Sequence, residues 1–164
     1  MSTARGAKSE ETEKERVDRE LIELLNELRV AIPGIQILFA FLLTVPFAFR
    51  FDVITTFQRD VYFVALLAAA IASALLIAPS AQHRILFRQQ DKAQLLRRAN
   101  VLAIAGLVFL ALAITAVILL ITDLLFSTAA VIVVSVAVAA LFAALWFAHP
   151  ALRRRAKHEE GGAT

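Results

Sequence analysis

Long apolar runs alternate with short charged segments along the chain. Residues 30–49, 61–78, 101–122 and 124–148 contain no Asp, Glu, Lys, Arg or His. A helix rises about 1.5 Å per residue, so roughly 20 apolar residues cross about 30 Å of hydrocarbon. Each run is long enough. Continuous runs rich in Ala and Leu predict helices, because membrane strands alternate in polarity over segments of about 10 residues. A helix also pairs its own backbone N–H and C=O groups where no water can do so. The pattern therefore predicts an all-α fold, a four-helix transmembrane bundle with a cytoplasmic N-terminal amphipathic helix. The membrane domain covers residues 16–148, with spans at about 33–49, 61–78, 101–122 and 124–148.

Ahead of the first span the pattern changes twice. Residues 1–15 are polar and predict a disordered tail. Val17, Leu21, Leu24, Leu28 and Ala31 then recur at three- and four-residue spacing. Asp18, Arg19, Glu20, Glu23 and Glu27 occupy the remaining surface, which predicts an amphipathic helix over residues 16–32 that lies on the membrane or packs against helix ends. Pro33 and Gly34 are expected to interrupt that helix as it enters the bilayer. Pro79 is expected to end the second span, with Ser80 capping a further helix to about Asn100. On it His83, Phe87 and Gln90 or Asp91 would share one face, and Arg84, Arg88 and Lys92 another. A basic tail, residues 149–164, closes the chain.

Within the spans, small residues four apart suggest where helices meet. They are Ala65, Ala69 and Ser73, and Ala70, Ala74 and Ala78, in the second span. In the fourth they are Ser135, Ala139 and Ala143, and Ala140, Ala144 and Ala148. Such rows let backbones approach closely, which places spans two and four at helix contacts. Asp123 and its polar neighbours predict a tight connection between spans three and four. The hydroxyls of Thr44, Ser73, Thr115 and Ser135 are expected to bond to carbonyls one turn back. The Gln36 amide needs more partners than a hydroxyl and is expected to pair with another helix. Trp146 reads as an interfacial anchor.

Composition removes the soluble alternative: 60% of the residues are hydrophobic and 19% charged, with a mean hydropathy of +0.74. Charge sets the expected orientation. Of the 17 Lys and Arg, all but Arg50 and Arg59 lie in the two tails and in the segment 79–100. Cations are retained on the cytoplasmic side, so both termini are expected to be cytoplasmic. The chain has no Cys, and its spans carry no ionisable side chain of the kind that proton and ion paths use.

The candidate contact residues are Glu23, Glu27, Arg29, Gln36, His83, Arg84 and Arg88; the row Arg84, Arg88 and Lys92 reads as a topology signal that also attracts anionic headgroups, and the alternative is that Arg84 or Arg88 pairs with Glu23 or Glu27. No catalytic, cofactor or metal site is expected, and the chain does not read as an enzyme. The preferred class is a non-enzymatic membrane scaffold or interaction protein. Its expected partners are membrane lipids, including anionic headgroups, and a second copy of the chain, but not nucleic acid. The alternative is a small cation or proton transporter or channel subunit acting as an oligomer.

Several local sequences also carry a resemblance. They are Glu23-Leu24-Leu25-Asn26-Glu27-Leu28-Arg29-Val30, Gly34-x-Gln36, Phe39-Ala40-Phe41-Leu42-Leu43, Ala78-Pro79 and His83-Arg84. Over roughly residues 16–125 the chain resembles an uncharacterised family of small four-span bacterial membrane proteins common in actinobacteria. The resemblance implies the same fold in the bacterial inner membrane. Some members bear a sodium:proton antiporter label, a chemistry for which this chain offers no intramembrane carboxylate.

Overall fold

The computed structural model of the chain describes residues 2–47, 53–85 and 92–148, with side chains described throughout these except at 2–14, 92 and 147. The fold is all-α, and no strand occurs among the described residues. Helix α1 spans Ser2–Thr44 and ends in a 3-10 turn at Val45–Phe47. Helix α2 spans Thr56–Ile85 and α3 spans Lys92–Leu125. Helix α4 spans Thr128–Phe142 and continues as a π-helical segment over Ala143–Ala148. Stretches within all four helices are long and apolar enough to cross a membrane: Glu15–Phe47, Thr56–Ile85, Ala93–Leu125 and Thr128–Trp146.

Three boundaries differ from the sequence expectation. Pro33 does not interrupt α1, so the expected surface helix and first span are one element, which also includes residues 2–14 of the expected disordered tail. Pro79 lies inside α2 and does not end it. Each proline deletes one backbone donor, but membrane helices tolerate this where local adjustment or neighbours satisfy the freed carbonyl. Ser80 is consequently an interior residue of α2. The expected separate helix to Asn100 is replaced by an extension of α2 to Ile85 and an early start of α3 at Lys92. Phe87, Arg88, Gln90 and Asp91, expected on that helix, lie outside the described residues. The α3–α4 connection is only Phe126 and Ser127, and Asp123 sits in the last turn of α3.

The chain divides into two compact units. The first comprises Met1–Ala48 and Leu66–Leu110, hence α1, most of α2 and the first part of α3. The second comprises Phe49–Ala65 and Ala111–Thr164, hence the start of α2, the end of α3 and α4.

The buried positions of three helices repeat every seven residues. In α1 they are Leu21, Leu28, Ile35 and Leu42; in α2 Tyr62, Ala69 and Leu76; in α3 Ala99, Gly106, Ala113 and Leu120. A seven-residue repeat is the spacing at which successive buried residues stay along one stripe of a helix. On α1 that seam runs without a break from the charged segment into the apolar one.

The seams of α2 and α3 are mostly Ala and Gly, whereas Phe63, Ile71, Val108 and Leu112 point outward. Small inside and large outside inverts the packing of a soluble core but suits helices whose surroundings are hydrocarbon. Within the first unit, a Cβ built on Gly106 would lie 2.7 Å from Cγ and Cδ2 of Leu76, so α2 and α3 approach closely there.

The expected rows fare unequally. Ala65 and Ala69 are fully buried, but in α4 only Val131 and Ser135 are buried among the described residues. Ala139, Ala140, Ala143, Ala144 and Ala148 are exposed. Ser135 aside, the described residues of the fourth span's small rows are not buried against another helix of the same chain, and the rows by themselves do not distinguish contacts within one chain from contacts between chains. An Ala row permits close approach without creating a partner.

The expected hydroxyl back-bonds form for Thr44, which donates to the Phe41 carbonyl at 2.7 Å, and for Thr115, which donates to the Ala111 carbonyl at 2.8 Å. They fail for Ser73 and Ser135, whose buried Oγ atoms have no hydrogen-bond partner among the described residues.

Candidate functional site

The buried seam of α1 has two flanks, and each lines a groove of the first unit. Successive residues turn by about 100° around a helix, so Glu20, Glu23 and Glu27 fall to one side of Leu21 and Leu28. Leu25, Arg29 and Ile32 fall to the other. The first flank faces Ala93, Leu96, Arg97 and Asn100 of α3 across a groove of about 490 Å³. Its rim combines three carboxylates with Arg16 and Arg97 over an apolar floor that includes Val17 and Leu24.

The second flank faces α2 across a groove of about 310 Å³, lined by Leu25, Arg29, Ile32, Ser80, His83 and Arg84. Ser80, His83 and Arg84 share one face of α2 because they are three and four residues apart. Continuation of α2 through Pro79 brings this face alongside α1. No acidic side chain lines the second groove among the described residues.

This arrangement corrects the alternative reading in which Arg84 pairs with Glu23 or Glu27. The carboxylates lie on the α3 side of α1, and Arg84 lies on its other side with Arg29. Arg16 pairs with Glu20 at 3.5 Å and Arg19 with Glu23 at 3.8 Å, both along α1. These exposed i,i+4 pairs contribute little to stability. Gln36 is exposed on α1, although its neighbour Ile35 is buried, and it makes no hydrogen bond to another helix among the described residues, contrary to expectation. Arg88 lies outside the described residues. Of the candidates, Arg29, His83 and Arg84 thus come together, Glu23 and Glu27 form a separate set, and Gln36 stands apart.

Residue types and spacing did not reveal that Arg97 and Asn100 line the same groove as the acidic flank. Nor did they reveal a polar cluster in the second unit. There Thr55 caps α2: its backbone N–H donates to Gln58 Oε1 at 3.0 Å, and Gln58 N–H donates to Thr55 Oγ1 at 3.2 Å. This is the reciprocal capping box that Thr-x-x-Gln encodes. The same Gln58 donates through Nε2 to Asp123 Oδ2 at 2.8 Å. Among the described residues, no three His, Asp or Glu side chains are grouped as metal ligands.

A family model described as a family of unknown function, DUF6328, matches residues 10–150. The chain belongs to that family. The matched region runs through α4 and so extends beyond the 16–125 over which the local sequences carried their resemblance. Membership in DUF6328 assigns no activity, but both grooves and the Gln58–Asp123 cluster fall inside the matched region. No curated protein and no solved structure matches the chain.

Proposed function

We propose that this DUF6328 protein is a non-enzymatic scaffold or interaction protein of the bacterial inner membrane. Both termini face the cytoplasm, where the polar ends of α1, α2 and α3 contact proteins and anionic lipid headgroups. The observation that carries this reading is the distribution of chemistry. Arg16, Glu20, Glu23, Glu27 and Arg97 line one open groove of the first unit and Arg29, His83 and Arg84 the other, whereas the seams of α1, α2 and α3 are built chiefly from Leu, Ile, Ala and Gly. A cation or proton path would need polar groups through that interior. The excess of Lys and Arg in the tails and in 79–100 supports the orientation.

Flux across proteoliposomes tests the reading against the transporter alternative. On the scaffold reading, imposed proton and sodium gradients collapse no faster than in empty vesicles. Gradient-driven flux that Gln36→Ala or His83→Ala abolishes, with the variants still folded, would establish an oligomeric transporter instead. The natural lack of Cys makes orientation directly readable. Ser9→Cys should react only with a reagent that enters the cytoplasm, and Ser127→Cys with an impermeant one.

A further inference from the structure

We infer that the groove between α1 and α2 is a binding site for a phosphate group, with Arg29 and Arg84 as its charged jaws and His83 and Ser80 as additional donors. This deepens the lipid-contact reading above and rests on it.

Folding brings two guanidiniums, from residues 55 positions apart, into one groove of about 310 Å³ that is lined by no carboxylate among the described residues. Neither Arg29 nor Arg84 has an ion pair among the described residues. Two like charges sharing a cleft oppose folding, and an anion between them reverses the sign of that interaction. Phosphate suits this lining. Guanidinium groups present N–H pairs in a fixed fork that matches phosphate oxygens, and hydroxyl and imidazole N–H groups supply further donors. The neighbouring α1–α3 groove makes the contrast, since Glu20, Glu23 and Glu27 on its rim would repel the same ligand.

The level of the groove adds a second argument. Arg29 immediately precedes the uncharged run 30–49, and Ile32 lies within that run. Leu25, Arg29 and Ile32 follow one face of α1, with an apolar side chain on either side of the cation, and on the side of the uncharged run the step from Arg29 to Ile32 takes about one turn. A phospholipid has that order of chemistry, headgroup then chain. Free phosphate would use the cations alone.

Native mass spectrometry of the full chain, extracted in mild detergent, tests this with equimolar phosphatidylglycerol and phosphatidylcholine of the same acyl chains. The expected result is preferential retention of phosphatidylglycerol. Arg29→Gln and Arg84→Gln should each lower that preference about fivefold, and the pair together by more, while Arg19→Gln leaves it unchanged. Arg29→Lys/Arg84→Lys keeps both charges but loses the forked geometry, and should fall between wild type and the double Gln variant. It remains informative where the Gln variants fail to fold, as judged by circular dichroism. Calorimetric titration with inorganic phosphate distinguishes the ligand's source. Heat that disappears in the double variant, without a lipid preference, means soluble phosphate. A lipid preference without such heat means a headgroup. Lipid retention that the folded double Gln variant leaves unchanged, together with no phosphate heat, would overturn the site; equal retention of both lipids that the double variant does lower would mean that the phosphate is bound without regard to the lipid's net charge. Proton or sodium flux would overturn the scaffold reading while leaving the lipid ratio untouched, so the two failures are distinguishable.

Discussion

Gln58 and Asp123 join the first turn of α2 to the last turn of α3 through one hydrogen bond, 2.8 Å from Nε2 to Oδ2. Gln58 is nearly buried and also completes the Thr55 capping box, so a single side chain ties a helix start to a helix end. Hydrogen bonds to charged acceptors contribute about 1.5–3 kcal/mol when buried, and partial exposure of Asp123 places this one at the low end. Asp123→Ala should lower stability in detergent by about 1.5 kcal/mol. Gln58→Ala should cost about 1 kcal/mol more because the cap is lost as well. In a double-mutant cycle by thermal unfolding the two losses should not add, and strict additivity would mean that the bond contributes nothing.

Gly34 of α1 and Gly106 of α3 should respond oppositely to a methyl group. At Gly106 the added Cβ would meet fully buried Leu76 at 2.7 Å, so Gly106→Ala overpacks the α2–α3 contact at a cost of about 1–3 kcal/mol. At Gly34 nothing lies within 4 Å, and Gly34→Ala should be neutral or stabilising by up to about 1 kcal/mol through helix propensity. Midpoints of chemical unfolding in mixed micelles would rank the two variants. A stable Gly106→Ala protein would show that the helices do not approach as described.

Ser73 and Ser135 each bury an oxygen without a partner among the described residues, which ordinarily costs free energy. Ser73→Ala and Ser135→Ala should therefore unfold at the wild-type temperature or above it. If either lowered the melting temperature by several degrees, its hydroxyl would have to be bonding to a group outside the described chain, such as a second copy.

Charge exchange separates the two flanks of α1. Arg97 shares a groove with Glu27, and Arg84 does not. Glu27→Arg should therefore offset part of the loss caused by Arg97→Glu and none of that caused by Arg84→Glu. Both effects should shrink at high salt, because the groove is open to solvent. Recovery of Arg84→Glu by Glu27→Arg would restore the alternative pairing read from the sequence.

Several features are legible in the order of residues alone. Apolar runs of 18 residues or more require four helices, and Thr115 behaves as its back-bonding chemistry dictates. The Thr-x-x-Gln signature at 55–58 stands in the sequence too and is the signal by which the α2 cap can be found. The apolar repeat of α1 reads only as far as Ala31 if Pro33 is given the power to break the helix. Its continuation through Ile35 and Leu42 shows why a proline in an apolar helix is a weak boundary. The candidate site is legible as a set of residue types but not as a grouping. Arg84 can reach either flank of α1 on paper, and only the packed unit places it beside Arg29.

The linear order of residues was enough to determine the class of fold, the approximate positions of its four apolar helices and the concentration of cations in particular segments. Those properties follow from local energetics: backbone bonding without water and the transfer of side chains into hydrocarbon act on each segment separately. Tertiary structure decided that Glu23 and Glu27 share a groove with Arg97, that Arg29 meets Arg84 and His83, and that Gln58 reaches Asp123. These relationships depend on which faces of distant helices come together. In a membrane, where apolar faces are solvated almost as well by lipid as by one another, that choice is left to shape and to a few polar contacts.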